Sequence, residues 1–378
     1  MSVESRFIEP LDVLFLRGNK LFGDPGSYGE CLIPPWPSVA AGAIRSRMLV
    51  DDGVDLAAFG KNQINHPALG TPEDPGSFVL AGFYPAQQKN GKTEILLPPP
   101  ADMLVTKNQS GMLEVSCLSP QPIHPMLQSS FPLDRPPVLP QGTQRLKPET
   151  GYWLAQQGWA AYLQGRAPST EQLVHSSALW SFDARVGIGM SAATRSAEEG
   201  KLFSVQAVSM KTGVGFVAVI SGAQPPIDGL LRLGGDGRAA TIEQADIELP
   251  LPDYEAIASS KRCRIVLTSP GLFPDGWKLP GTEDGNRVTL PEGITAQLVS
   301  AAVPRAETLS GWDLAKWQPK PARRVVPTGS VYWLDELEAS PEALGRLVER
   351  GLWGEPCEDA ARRAEGFNRI SLAIWADE

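Results

Sequence analysis

Histidine and cysteine are scarce in this chain of 378 residues, with three of the first and four of the second. His66, His124 and His175 form no HxxxH or HExxH pattern, and Cys31, Cys117, Cys263 and Cys357 form no CxxC pair. No protein-built zinc centre or disulfide framework is expected, and the thiols should be reduced and buried. Long apolar runs are lacking too, and Glu4 interrupts the first residues where a charged-then-apolar leader would lie. These absences point to a cytoplasmic protein with no membrane partner. Positive charge is also short: a formal net charge of −9 excludes a chain that coats nucleic acid through its overall charge.

What is present is enough apolar sequence, 42%, to fill two ordinary domains or one large one. Charge is unevenly placed along it. Residues 315–334 carry Lys316, Lys320, Arg323 and Arg324 and no acid, whereas residues 335–365 carry nine acids against four bases. A local basic patch can therefore coexist with an acidic surface suited to another protein.

The run Leu11-Asp-Val-Leu-Phe-Leu-Arg17 reads as a buried strand with Arg17 at its mouth. Residues 36–49 read as a helix capped by Ser38, with Ala40, Ala43, Ile44 and Met48 on one face, Arg45 opposite and Arg47 snorkelling from the stripe. Residues 78–84 and 93–97 form a hairpin around Asn90-Gly91. Between 98 and 148 there are eleven prolines in 51 residues, too many for regular sheet or helix, so this stretch reads as an insertion. Residues 149–165 return to helical character, and 202–210 with 213–220 suggest a second hairpin. In the second half, 230–242 reads as a hairpin around a glycine turn, and 264–268 and 294–300 as strands. Residues 340–350 carry a Ser N-cap, Pro at the first helical position and Gly351 beyond the end, and 366–375 close as a strand.

The richest stretch for chemistry is 183–203, where Arg185 and Arg195 flank Gly187, Gly189 and small hydroxyl residues. Glycines let backbone N–H groups approach an anion closely, so this loop can cradle a phosphate; the plain alternative is a glycine-containing turn with an internal Asp183–Arg185 pair. Arg238 beside Gly234-Gly-Asp-Gly237 is a second candidate, as are Lys320, Arg323 and Arg324, with Trp312, Trp317, Tyr332 and Trp333 as stacking or core aromatics. His175, ten residues before Arg185, is the one candidate general base, and a structural histidine is its competing reading.

Taken together, Pro10-Leu-Asp-Val-Leu-Phe-Leu-Arg17, Pro37-Ser-Val-Ala-Ala-Gly-Ala-Ile-Arg45, Arg185-Val-Gly-Ile-Gly189 with Glu199-Gly-Lys-Leu-Phe203, Leu233-Gly-Gly-Asp-Gly-Arg238, and Ser310-Gly-Trp-Asp-Leu314 with Pro327-Thr-Gly-Ser-Val-Tyr332 resemble one family in order and spacing over nearly the whole chain. That family is the third subunit of the Cmr module, a RAMP-superfamily protein of type III-B CRISPR effector complexes.

The resemblance implies an α+β chain of two ferredoxin-like (RRM-like) domains in tandem, residues 1–221 with an insertion at about 98–180, and residues 222–378. It implies a subunit without catalysis, cofactor or metal, which holds the 5′ handle of the crRNA. The implied partners are the large polymerase/cyclase-domain subunit, an adjacent RAMP backbone subunit, and target RNA near the handle end, reached by a thumb placed within 98–148. Its RNA contacts would come from Arg17, Arg45, Arg185, Gly187, Gly189, Arg195, Arg238, Lys320, Arg323 and Arg324. Two alternatives stand beside it: a metal-independent endoribonuclease that processes repeat RNA through His175, and a protein scaffold without RNA contact.

Overall fold

The computed structural model describes residues 3–16, 18, 28–139, 147–313 and 318–376. It is mixed α/β, dominated by antiparallel sheet with few helices. The chain groups into two compact units of three segments each. The first holds 1–93, 176–246 and 308–323, and the second holds 94–175, 247–307 and 324–378. A boundary at 221/222 thus falls inside the first unit. There Arg6 draws the segment beyond it back onto the first strand, donating from Nε to the Pro226 carbonyl at 2.6 Å and from Nη2 to the Pro225 carbonyl at 3.0 Å.

In the first unit the strand order is Asp228–Arg232, Ala239–Gln244, Val3–Pro10, Val214–Ser221, Val79–Lys89, antiparallel throughout. Helix Pro37–Asp51 lays Ala40, Ala41, Ile44 and Met48 against Ile8, Phe216, Ala218, Ile220 and Ile242. It starts on Pro37 with Trp36 as N-cap and no side-chain cap, so Ser38 lies inside the first turn. Arg47 does not snorkel from the core stripe: it pairs with Asp51 at 2.7 Å and donates to the Leu230 carbonyl at 2.7 Å. Asn90 and Gly91 take φ of 52° and 75°, the positive pair expected of the Asn-Gly turn.

The first strand is Val3–Pro10, one element earlier than the apolar run suggested. Residues 13–16 are buried, but they lie beyond the strand's end, tied to Val208 by reciprocal bonds from Leu14 at 2.8 and 2.9 Å. Leu14 and Leu16 enter the main core, while Val13 and Phe15 join a small cluster with Ala207. Burial on two sides produces a continuous apolar run whether or not the segment is a strand. The hairpin expected from 202–220 is replaced as well. Ala197–Met210 pairs with Trp180–Met190, and Val214–Ser221, buried on both faces, runs between two non-local neighbours.

In the second unit the order is Arg287–Leu290, Ile294–Ala302, Val331–Glu338, Cys263–Leu267, Ile370–Ile374, again antiparallel. Helix Pro341–Arg350 covers one face with Ala343, Leu344 and Leu347, packing with Ile265, Leu298, Leu334 and Leu372. Its Ser340 hydroxyl accepts from the Ala343 N–H at 3.2 Å, and Gly351 ends it at φ 78°, as the sequence signals require. Residues 149–165 divide into strand Tyr152–Ala155 and helix Gln156–Leu163.

The proline-rich stretch is more regular than its composition suggests. Met103–Lys107 and Leu113–Cys117 form a hairpin free of proline, because the prolines cluster on either side, and Leu133 is buried in the unit's core. On the sheet face away from helix Pro341–Arg350, Arg264 donates from Nη1 to Asp102 Oδ2 at 2.8 Å. The Tyr162 hydroxyl reaches the same carboxylate at 2.8 and 2.9 Å, and Arg264 Nη2 donates to the Tyr162 and Ile374 carbonyls. Asp102 is fully buried, so its charge is tolerated only because these donors surround it.

Candidate nucleic-acid interface

The 183–203 stretch is a long β-hairpin rather than a loop: Trp180–Met190 pairs antiparallel with Ala197–Met210, and residues 191–196 form its tip. Gly187 and Gly189 lie in extended strand. A Cβ on Gly187 would stand 2.3 Å from the Phe203 ring, and one on Gly189 would stand 2.8 Å from the Lys201 side chain. The glycines therefore admit cross-strand side chains over the backbone, and they do not form a nest of successive N–H groups there. Arg195 sits at the tip with φ 53°, its N–H bound to the Ser191 carbonyl at 2.8 Å.

The hairpin's two faces differ, as the period-two alternation of a strand allows. One face carries Asp183, Arg185, Val205 and Ala207 toward the segment after the first strand; Val205 packs with the Val13, Phe15 and Ala207 cluster. The other face leaves Phe182, Val186, Ile188, Met190 and Leu202 exposed, each about half or more. No charged residue interrupts Phe182, Ala184, Val186, Ile188 and Met190 along that side.

Arg185 and Arg238 converge on one ring. Their guanidinium groups lie 5.8 and 4.9 Å from the centroid of Phe15, close enough for cation–π attraction. Arg185 pairs with Asp183 at 2.8 Å, and Arg238 pairs with Asp12 at 2.5 Å. The glycine turn before Arg238 is fastened to the same place, since the Gly235 N–H donates to the Phe15 carbonyl at 2.8 Å. Phe15 carries no signal of its own in the sequence, because it is one of four consecutive apolar residues and only its neighbours in space distinguish it.

Arg17 and Trp317 lie outside the described residues. Arg45 is half-buried on helix Pro37–Asp51. Lys320, Arg323 and Arg324 lie on strand Gln318–Val325, which pairs with Glu307–Asp313; Arg323 and Arg324 are exposed. Tyr332 and Trp333 are core residues of the second unit, each 1% exposed or less. His175 ends a short strand in the second unit, exposed and edge-on to Tyr152 at 5.0 Å. Among the described residues no group of three His, Cys, Asp or Glu could hold a metal, and no helix is long and apolar enough to cross a membrane.

Exposed aspartate–arginine pairs of this kind are worth about 0–1 kcal/mol, so a phosphate can displace either carboxylate at small cost and gain a charge-assisted hydrogen bond. The geometry is that of two exchangeable cations held over an aromatic platform.

Comparison with known proteins gives the family. The one described as CRISPR-associated protein (Cas_Cmr3) matches residues 6–375. A chain of the type III-B Cmr-beta complex bound to cognate target RNA and AMPPnP is similar in fold. It has a TM-score of 0.51 and 16% identity over 98% of each chain. A chain of the same type of complex bound to cognate target RNA gives 0.49 and 15%, over 97% of this chain and 96% of that one. No curated protein matches. With nearly its full length matched, the chain belongs to the Cas_Cmr3 family of CRISPR-associated proteins, the one its motifs resemble.

Proposed function

We propose that this protein is a non-catalytic subunit of a type III-B CRISPR effector that holds the 5′ handle of the crRNA and docks the large polymerase/cyclase-domain subunit. The observation that carries the RNA part is the convergence of Arg185 and Arg238 on Phe15. Single-stranded RNA offers phosphates for the guanidinium groups and unstacked bases for aromatic and apolar surfaces. Arg17, Arg45, Arg195, Lys320, Arg323 and Arg324 belong to the same proposal as further backbone contacts, while Gly187 and Gly189 serve by admitting Phe203 and Lys201. The acidic stretch 335–365 suits a protein partner better than RNA.

Strand order supports a ferredoxin-like reading of both units. In the first, Ala239–Gln244, Val3–Pro10, Val214–Ser221 and Val79–Lys89 follow the 4-1-3-2 order, with a helix after the first strand and a hairpin strand in place of the second helix. In the second, Ile370–Ile374, Cys263–Leu267, Val331–Glu338 and Ile294–Ala302 follow the same order with the second helix kept and the first replaced by a long connection. The thumb near the first guide–target pairs moves in this proposal from 98–148 to the Trp180–Met210 hairpin. Part of 98–148 is packed into a core, whereas the hairpin offers exposed Phe182, Val186, Ile188 and Met190 to bases.

The test is crosslinking of a 4-thiouridine-labelled handle in the assembled complex. Crosslinks within 183–203 or beside Phe15 are expected; a handle that crosslinks only to other subunits would leave a scaffold without RNA contact.

A further inference from the structure

Residues 115–133 carry no Asp, Glu, Lys or Arg, in a chain of which 20% is charged. Within the second unit this uncharged stretch builds most of a closed loop. Ser119-Pro120 pairs with Pro137-Val138 at its neck, and the Gln121 N–H donates to the Pro136 carbonyl at 3.1 Å. Phe131 packs against the unit's core and Leu133 is buried in it, so the returning limb is anchored. A loop whose ends meet over 121–136 is a compact surface element and not a slack connection.

Its far end is fixed as well as its neck. The His124 carbonyl accepts the Leu127 N–H at 2.8 Å, His124 Nδ1 accepts the Met126 N–H at 3.2 Å, and Ser129 Oγ accepts the Phe131 N–H at 3.0 Å. The turn holds Met126 and Leu127 in solvent, 86% and 66% exposed. Among the described residues no large apolar side chain is more exposed than Met126. The loop thus has an inner apolar pair, Phe131 and Leu133, that ties it down, and an outer pair that its own fold leaves uncovered.

The charge pattern selects what covers the outer pair. RNA would find no Lys or Arg here for its phosphates, and the loop's phenyl ring is turned to the core. A protein pocket asks for what the loop offers, since the centres of protein interfaces are depleted in charge and enriched in methionine. Methionine's unbranched thioether adapts to the shape of a pocket, and the pinned turn leaves little backbone to order on binding.

We propose that Met126 and Leu127 anchor this chain to another protein subunit of the effector, entering an apolar pocket with an uncharged rim. The inference rests on the reading of the chain as an effector subunit and adds which of its surfaces meets protein; the arginines at Phe15 play no part in it.

Peroxide footprinting of Met126, read by mass spectrometry, is the test, applied to the isolated full-length chain, to that chain with handle RNA and to the assembled complex. Oxidation should be fast in the first two and slower by about tenfold or more in the third. Met126→Asp with Leu127→Asp should weaken retention of the chain in the complex about tenfold or more, while Met126→Leu keeps most of it. The urea midpoint of the isolated chain should not move with either variant, since both sites are exposed. Protection by handle RNA alone would make the loop an RNA contact, and concentration-dependent protection of the isolated chain would make it a contact between copies; either result overturns the proposal, as does equal oxidation in the complex. A complex that protects Met126 but crosslinks its handle only to other subunits keeps this inference and overturns the RNA reading, whereas a parent chain that enters no complex overturns the reading on which the inference rests.

Discussion

Asp183 and Arg185 lie 2.8 Å apart on the long hairpin, and Asp102 and Arg264 lie 2.8 Å apart in the second unit, yet their surroundings are opposite. The first pair is 44% and 41% exposed; the second is 0% and 7%. In water the mutual attraction is largely screened, so Arg185 is held loosely and can exchange its carboxylate for a phosphate. Inside the second unit neither group can be released without leaving a bare charge, and the pair fixes the insertion to the sheet. One chemical pairing is thus open to exchange in one place and fastens the fold in the other, and the variable that separates them is burial.

Breaking the buried pair should have the largest effect. Asp102→Ala leaves Arg264 and the Tyr162 hydroxyl without their shared acceptor and should cost about 3–5 kcal/mol of stability, read as a lower urea midpoint. Next is Gly187→Val, which forces the Phe203 ring off its place over the strand. About 1–3 kcal/mol is expected, and near-ultraviolet circular dichroism should report the disturbed aromatic packing.

The exposed pair should behave in the reverse sense. Arg185→Ala with Arg238→Ala should change stability by less than about 1 kcal/mol per pair. Handle affinity should fall, and the salt slope should become shallower by about 0.7 for each phosphate that is no longer neutralised.

The smallest effect is expected at Glu292, whose carboxyl is held below its ordinary range by its bond to Arg346 at 2.7 Å and by nearby Arg350. A depressed carboxyl stabilises the fold above its unfolded pKa and loses that contribution as pH falls through the folded value. Glu292→Gln should therefore differ slightly from the parent in melting temperature at pH 7 and converge with it in acid.

What could be read from the sequence follows the range of the interactions involved. Helix Pro341–Arg350 was legible because its cap, its first-turn proline and its terminal glycine are all local. The Asn90-Gly91 turn was legible for the same reason. Strand partners were not: Leu202 to Ile220 offered a short turn between two apolar runs, but the first strand pairs back on Trp180–Met190 in a hairpin and the second runs between two non-local neighbours. Residues 149–165 misled because Trp153 and Leu154 belong to a strand that runs straight into the helix. Arg185 and Arg238 could be singled out as arginines beside glycines, but their meeting at Phe15 brings together positions about fifty and more than two hundred residues apart. Asp102, Tyr162 and Arg264 carried no signal, since their bonds span 60 and 162 residues. The resemblance compensated for much of this, because five short motifs in order specify a family even where none specifies its neighbours.

In the proposed function the partly exposed Arg185 and Arg238 at Phe15 bind RNA, whereas burial makes Arg264 structural. That division is tested most directly by measuring handle RNA affinity and urea stability together for the assembled complex, with its parent subunit and with the subunit carrying R185A and R238A. Affinity that falls at least about tenfold with an unchanged urea midpoint is the predicted result. Unchanged affinity in the double variant would contradict the account.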